Sequence, residues 1–100
     1  MESKLYGVYY QTDPTFGFGD RKINLDVIEL THTYLGFIRA EDLDEVFYRM
    51  QGDYWSPEGE ARNLIKGLGL KHTSMSIGDV IWDIVENKYH VVAQSGFTTM

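Results

Sequence analysis

Two stretches with helical spacing lie between stretches that alternate with a period of two, and this order limits the fold more than any other feature of the chain. In residues 40–50, Leu43, Val46, Phe47 and Met50 fall at i, i+3, i+4 and i+7, which makes one continuous apolar face. Glu41, Asp42, Asp44 and Glu45 crowd the first turn, where the helix dipole favours negative charge, and Gly52 is expected to end the helix. A second helix is expected to open at Ser56-Pro57, because serine caps free amides and proline loses nothing at the first helical position. Ala61, Leu64, Ile65 and Leu68 repeat the helical spacing, and Gly67 and Gly69 mark the end.

The flanks read as β-structure. Residues 4–11 place Tyr6, Val8 and Tyr10 on one face and Leu5 and Tyr9 on the other. Asp13-Pro14 and the glycines of Phe16-Gly17-Phe18-Gly19 signal a loop. Residues 24–30 fit either a short helix or a strand, and residues 31–38 are β-branched and aromatic, hence a strand. Residues 80–85 and 89–94 form a hairpin around Glu86, Asn87 and Lys88. Strands and helices segregated in this way predict a single α+β domain over residues 1–100, an antiparallel sheet with two short helices packed on one face.

Composition narrows the function classes. The 100 residues are 43% apolar and 14% aromatic, enough for one folded core. The absence of cysteine excludes a disulfide framework, a thiolate metal site and a cysteine nucleophile. A small exported domain is usually stapled, so the expected location is cytoplasmic. No apolar run approaches the roughly 18 residues of a membrane helix, and Leu5 to Tyr10 is too short for a signal-peptide core, so no membrane partner is expected. The net charge of −6 argues against direct nucleic-acid binding, which draws on Lys and Arg, and suits a basic partner.

Chemistry-bearing residues are few. His32, His72 and His90 lack the close pairing of zinc ligands, and neither a metal nor a cofactor is expected. His72, Ser74, Ser76 and Asp79 hold the residue types of a hydrolase triad, but no Gly-x-Ser-x-Gly elbow is present. Neighbours on an extended segment point to alternate faces, so the two serines are expected to satisfy backbone groups at the entry to the hairpin, and no catalytic residue is assigned. Glu41, Asp42, Asp44 and Glu45 read as a solvated helix start that can serve as an interaction surface. Tyr54 and Trp55, with Tyr48 nearby, form an aromatic group of the kind enriched at interface hot spots, although Trp55 alternatively plugs the corner between the helices. The Phe16–Gly19 loop is not a phosphate loop. Phe16 and Phe18, with Arg21, Lys22 and His72, outline an alternative site for a small ligand or nucleotide.

The run His72-Thr73-Ser74-Met75-Ser76-Ile77-Gly78-Asp79-Val80-Ile81, followed by Tyr89-His90-Val91-Val92 and Gly96-Phe97, resembles a signature of small phage, plasmid and bacterial proteins that include a YodL-like group. The phrases Asp44-Glu45-Val46-Phe47, Met50-Gln51-Gly52 and Trp55-Ser56-Pro57 are similar to the longer phage members. This family has no established catalytic residues, so none carries over. The resemblance implies a mobile-element accessory protein, acting in the host-cell cytoplasm by binding a host protein. The same signature has a structural account: Gly78-Asp79 supplies a turn before a strand, and Gly96 lets the closing strand bend. The Val91-Val92 strand is also expected to offer an edge for a homodimer.

Overall fold

A computed structural model of the chain describes residues 3–12 and 28–99. Strand β1 (Lys4–Gln11) forms where the two-residue alternation begins. A four-residue helix α1 (Ile28–Thr31) leads into β2 (His32–Ala40), which resolves the ambiguous residues in favour of a helix from Ile28 onward. Helices α2 (Leu43–Arg49), α3 (Gly52–Trp55) and α4 (Arg62–Gly67) follow. The chain ends in β3 (Val80–Asp83), β4 (Lys88–Val92) and β5 (Phe97–Thr99).

The five strands make one sheet in the order β2-β1-β3-β4-β5, with every neighbouring pair antiparallel. This is the expected α+β class. Strands β2 and β3 both flank β1, so they run parallel to each other, and their connection must cross one sheet face. The α2–α4 segment is that crossover. Its Val46, Met50, Ala61 and Ile65 pack on Tyr6, Val8 and Tyr10 of β1 and on Ile81 and Val92 beyond it.

Helix α2 forms as its spacing requires, with Leu43, Val46, Phe47 and Met50 all in the core cluster. It stops at Met50, however, and Gly52 opens α3 instead of ending α2. There the Gly52 N–H donates to Ser74 Oγ at 2.8 Å, and a Cβ on Gly52 would stand 3.1 Å from that oxygen. The second expected helix starts later than Ser56-Pro57. Ser56 Oγ does accept an amide, that of Ala61 at 2.8 Å, but the chain turns through residues 57–60 before α4 begins at Arg62. Its end is a Schellman motif: Leu70 N–H bonds Ile65 O and Gly69 N–H bonds Lys66 O, with Gly69 at φ +74°. Leu70 and Ile65 complete it with a contact in the core.

The C-terminal hairpin is shorter than its pattern suggested and is extended by a third strand. Asp83 Oδ1 accepts from Glu86 N, and Asn87 takes the left-handed conformation at φ 54°, so the turn spans residues 84–87. Gly96, at φ +86°, sits in the turn to β5, and Ala93 N–H bonds its carbonyl at 2.9 Å. Because β5 pairs along β4, Val91 and Val92 are not at a sheet edge, and the homodimer edge expected there does not exist. Among the described residues the edge strands are β2 and β5.

Candidate functional site

Residues 72–79 build a buried hydrogen-bond hub. Asp79 is fully buried and accepts three bonds: Gln11 N to Oδ1, and Ser76 N and His72 Nε2 to Oδ2, each at 2.8 Å. A buried carboxylate is tolerated only when its lone pairs are filled in this way. The His72 ring stacks on Tyr10 with centroids 4.6 Å apart. Burial pushes the Tyr10 hydroxyl well above the ordinary phenol value, and the Asp79 charge adds to this, so the hydroxyl stays protonated. Its proton is shared between Thr73 O at 2.7 Å and Met50 O at 3.2 Å. Trp55 Nε1 donates to the same Thr73 carbonyl at 2.9 Å, and Met75 N–H bonds Met50 O. Residues 72–79 thus fasten the α2–α3 corner to the end of β1.

This hub absorbs the residue types of the triad. Ser74 Oγ receives the Gly52 amide, and Ser76 Oγ donates to Ser74 O at 3.1 Å, so both serines satisfy backbone groups. Gly78 completes the turn at φ +95°, and a Cβ there would collide with the Gln11 amide. His32 Nε2 donates to Gly78 O at 2.8 Å, and His90 meets Thr99 Oγ1. Among the described residues no group of three His, Cys, Asp or Glu is placed to hold a metal ion.

The solvent side of α2 and α3 is the other concentration of chemistry. Asp42 caps α2 by accepting from Glu45 N at 2.8 Å, and Glu45 Oε1 returns the favour to Glu41 N at 3.0 Å. Glu45 also faces Arg49 at 3.8 Å. Glu41 and Asp44 project into solvent. One turn beyond Asp44 on the same face stands Tyr48, whose ring lies 4.4 Å from that of Tyr54, and their hydroxyls are hydrogen-bonded to each other. That bond pushes the Tyr54 hydroxyl above its ordinary value. The two rings are 56% and 55% exposed. Trp55 is half-buried against the core, with its Nε1 on Thr73 O. Glu41, Asp42, Asp44 and Glu45 thus lie together at the start of α2, and Tyr54 meets Tyr48 one turn beyond Asp44. Between α3 and α4 lies an open polar depression of about 390 Å³, lined by Asp53, Glu58 and Arg62 among others.

Of the alternative ligand site, Phe16, Phe18, Arg21 and Lys22 lie outside the described residues, and His72 is buried in the hub. The sequence reading missed the aromatic side of the sheet opposite the helices. Tyr34 of β2 packs 5.0 Å from Tyr9 of β1, Tyr9 lies 6.2 Å from Tyr89 of β4, and Tyr89 stacks on Trp82 of β3. Phe37 extends the row beside Tyr34 and is 64% exposed. Strict alternation puts residues 34 and 37 on opposite faces. A bulge at Leu35–Gly36 inserts one residue, so that Tyr34 faces Tyr9 and Phe37 faces Gly7, on one side. The only sequence signal for this was Gly36 within a strand pattern.

Among the described residues no helix is long and apolar enough to cross a membrane. Comparison with protein-family models, with curated proteins and with solved structures finds no match to this chain.

Proposed function

We propose that the chain is a non-enzymatic binding module, a mobile-element accessory protein that docks on a host protein through the stripe formed by Glu41, Asp44, Tyr48 and Tyr54. The observation that carries this reading is the exposed Tyr48–Tyr54 pair beside two solvent-facing carboxylates. Tyrosine is a frequent interface anchor, and a pair already stacked and hydrogen-bonded loses little further freedom on binding. The carboxylates favour a basic partner surface and a fast, salt-sensitive encounter. The −6 net charge supports the same polarity.

The test is affinity capture from host-cell lysate, read by mass spectrometry, with the native chain and with Asp44→Lys and Tyr54→Ser variants. Both side chains point outward, so the variants should melt within a few degrees of the native chain. One stoichiometric protein captured by the native chain and lost from both variants supports the reading. Capture that is indifferent to both variants would remove the stripe from consideration.

A further inference from the structure

We infer that the outer edge of β2, which no described residue pairs with, takes up an extended cationic segment of the partner as a sixth strand. This deepens the binding reading above and rests on it. The two edges of the sheet are unlike. Strand β5 has three residues, too few to template much pairing. Strand β2 has nine, contains no proline, and carries a single formal charge, Arg39. No described residue pairs with its outer side. Sheets normally blunt a long edge with several charges, prolines or shortness. Here the bulge at Gly36 interrupts the edge once and leaves residues 37–40 as a regular run opposite β1.

That run has two dissimilar sides. Phe37, with Tyr34 next to it, offers exposed aromatic surface on the open face. On the other face the chain passes from Ala40 directly into Glu41 and Asp42, and α2 packs back against β2. Glu41, Asp42 and Asp44 are all exposed at this corner. A strand added at residues 37–40 alternates between these environments. Its main chain completes the ladder, its apolar side chains meet Phe37, and its alternate side chains meet carboxylates. The segment that fits is apolar on one side and rich in Lys or Arg on the other. A second copy of β2 fits poorly, because its one cation, Arg39, pairs opposite Leu5 and so lies on the open face with Phe37, away from the acids.

The experiment is a titration of the isotope-labelled protein, followed by amide shifts, with a seven-residue peptide alternating valine and lysine. A valine–glutamate counterpart and a lysine peptide interrupted by proline serve as controls. The expected result is shifts confined to residues 36–45 with the lysine peptide, binding at least about tenfold weaker for either control, and loss at high salt. Phe37→Ser, at an exposed position, should weaken the lysine peptide by about tenfold while the protein stays folded. Three results would overturn the inference: no shifts at millimolar peptide, equal shifts with the glutamate peptide, or β2 shifts that depend on protein concentration alone, which would assign the edge to a second copy. If the lysate partner is still captured through the stripe while β2 stays silent, strand addition falls and the binding reading stands. If shifts appear at β2 while lysate capture is indifferent to the stripe variants, strand addition stands and the stripe falls as the contact surface.

Discussion

Asp79 ties its own segment, through Ser76 and His72, to Gln11 at the distant end of β1. Removing one partner of a buried charged cluster leaves the others unsatisfied, at a cost of about 3–5 kcal/mol. Asp79→Ala should lose that much in urea denaturation, a large part of a small domain's stability. His72→Phe should lose clearly less, because the stack on Tyr10 survives and Asp79 keeps two of its three donors. An Asp79→Ala cost under about 1 kcal/mol, the worth of a single ordinary hydrogen bond, would show that the hub is incidental. Residue types alone could not separate this hub from a triad, because both use His, Ser and Asp at short spacing. What could be read was geometric: side chains on an extended segment alternate, which makes backbone bonding by Ser74 and Ser76 the simpler outcome. The His72–Asp79 pair itself, seven residues apart, was not predictable without the turn at Gly78.

Among the elements, α2 and β1 were legible because their core residues, Leu43, Val46 and Phe47 in one and Tyr6, Val8 and Tyr10 in the other, keep the helical and the alternating spacing. The elements misread were those set by exceptions to a period. The bulge at Gly36 moved Tyr34 and Phe37 to one face, Ser56 capped an amide five residues on instead of opening a helix at once, and β5 is too short to show a pattern. The tie between β1 and the end of β3 makes a pH prediction. Burial pushes the Asp83 carboxyl up, but the Glu86 amide and the Lys4 ammonium outweigh it and hold it below the usual carboxylate range. The hydrogen bond to Asp83 in turn raises Lys4. A depressed carboxylate contributes stability that is present above its unfolded pKa, about 3.9, and is lost as pH falls through the folded value. A raised lysine contributes stability below its unfolded pKa, about 10.4, and loses it as pH rises through the folded value. Asp83→Asn should therefore lower the melting temperature at neutral pH and flatten its fall below pH of about 4. Parallel acid profiles for the two proteins would contradict the pairing.

Across the whole molecule the two sheet faces are used differently. One is filled by the α2–α4 crossover, and the other carries a row of aromatic rings from Phe37 to Trp82. Acidic groups gather where β2 passes into α2, and the Tyr48–Tyr54 pair stands at the far end of the same stripe. The fold class followed from element order alone. The aromatic face and the place of β2 at the edge of the described sheet did not, since strand order is a long-range property that no local pattern encodes. The central claim is that binding resides in this stripe and not in overall charge. The direct measurement is lysate capture by two double variants of equal net charge, Glu41→Lys with Asp44→Lys and Glu58→Lys with Glu60→Lys, beside the native chain. The account predicts that the first loses the captured protein and the second keeps it. Loss from both variants, or from neither, would contradict it.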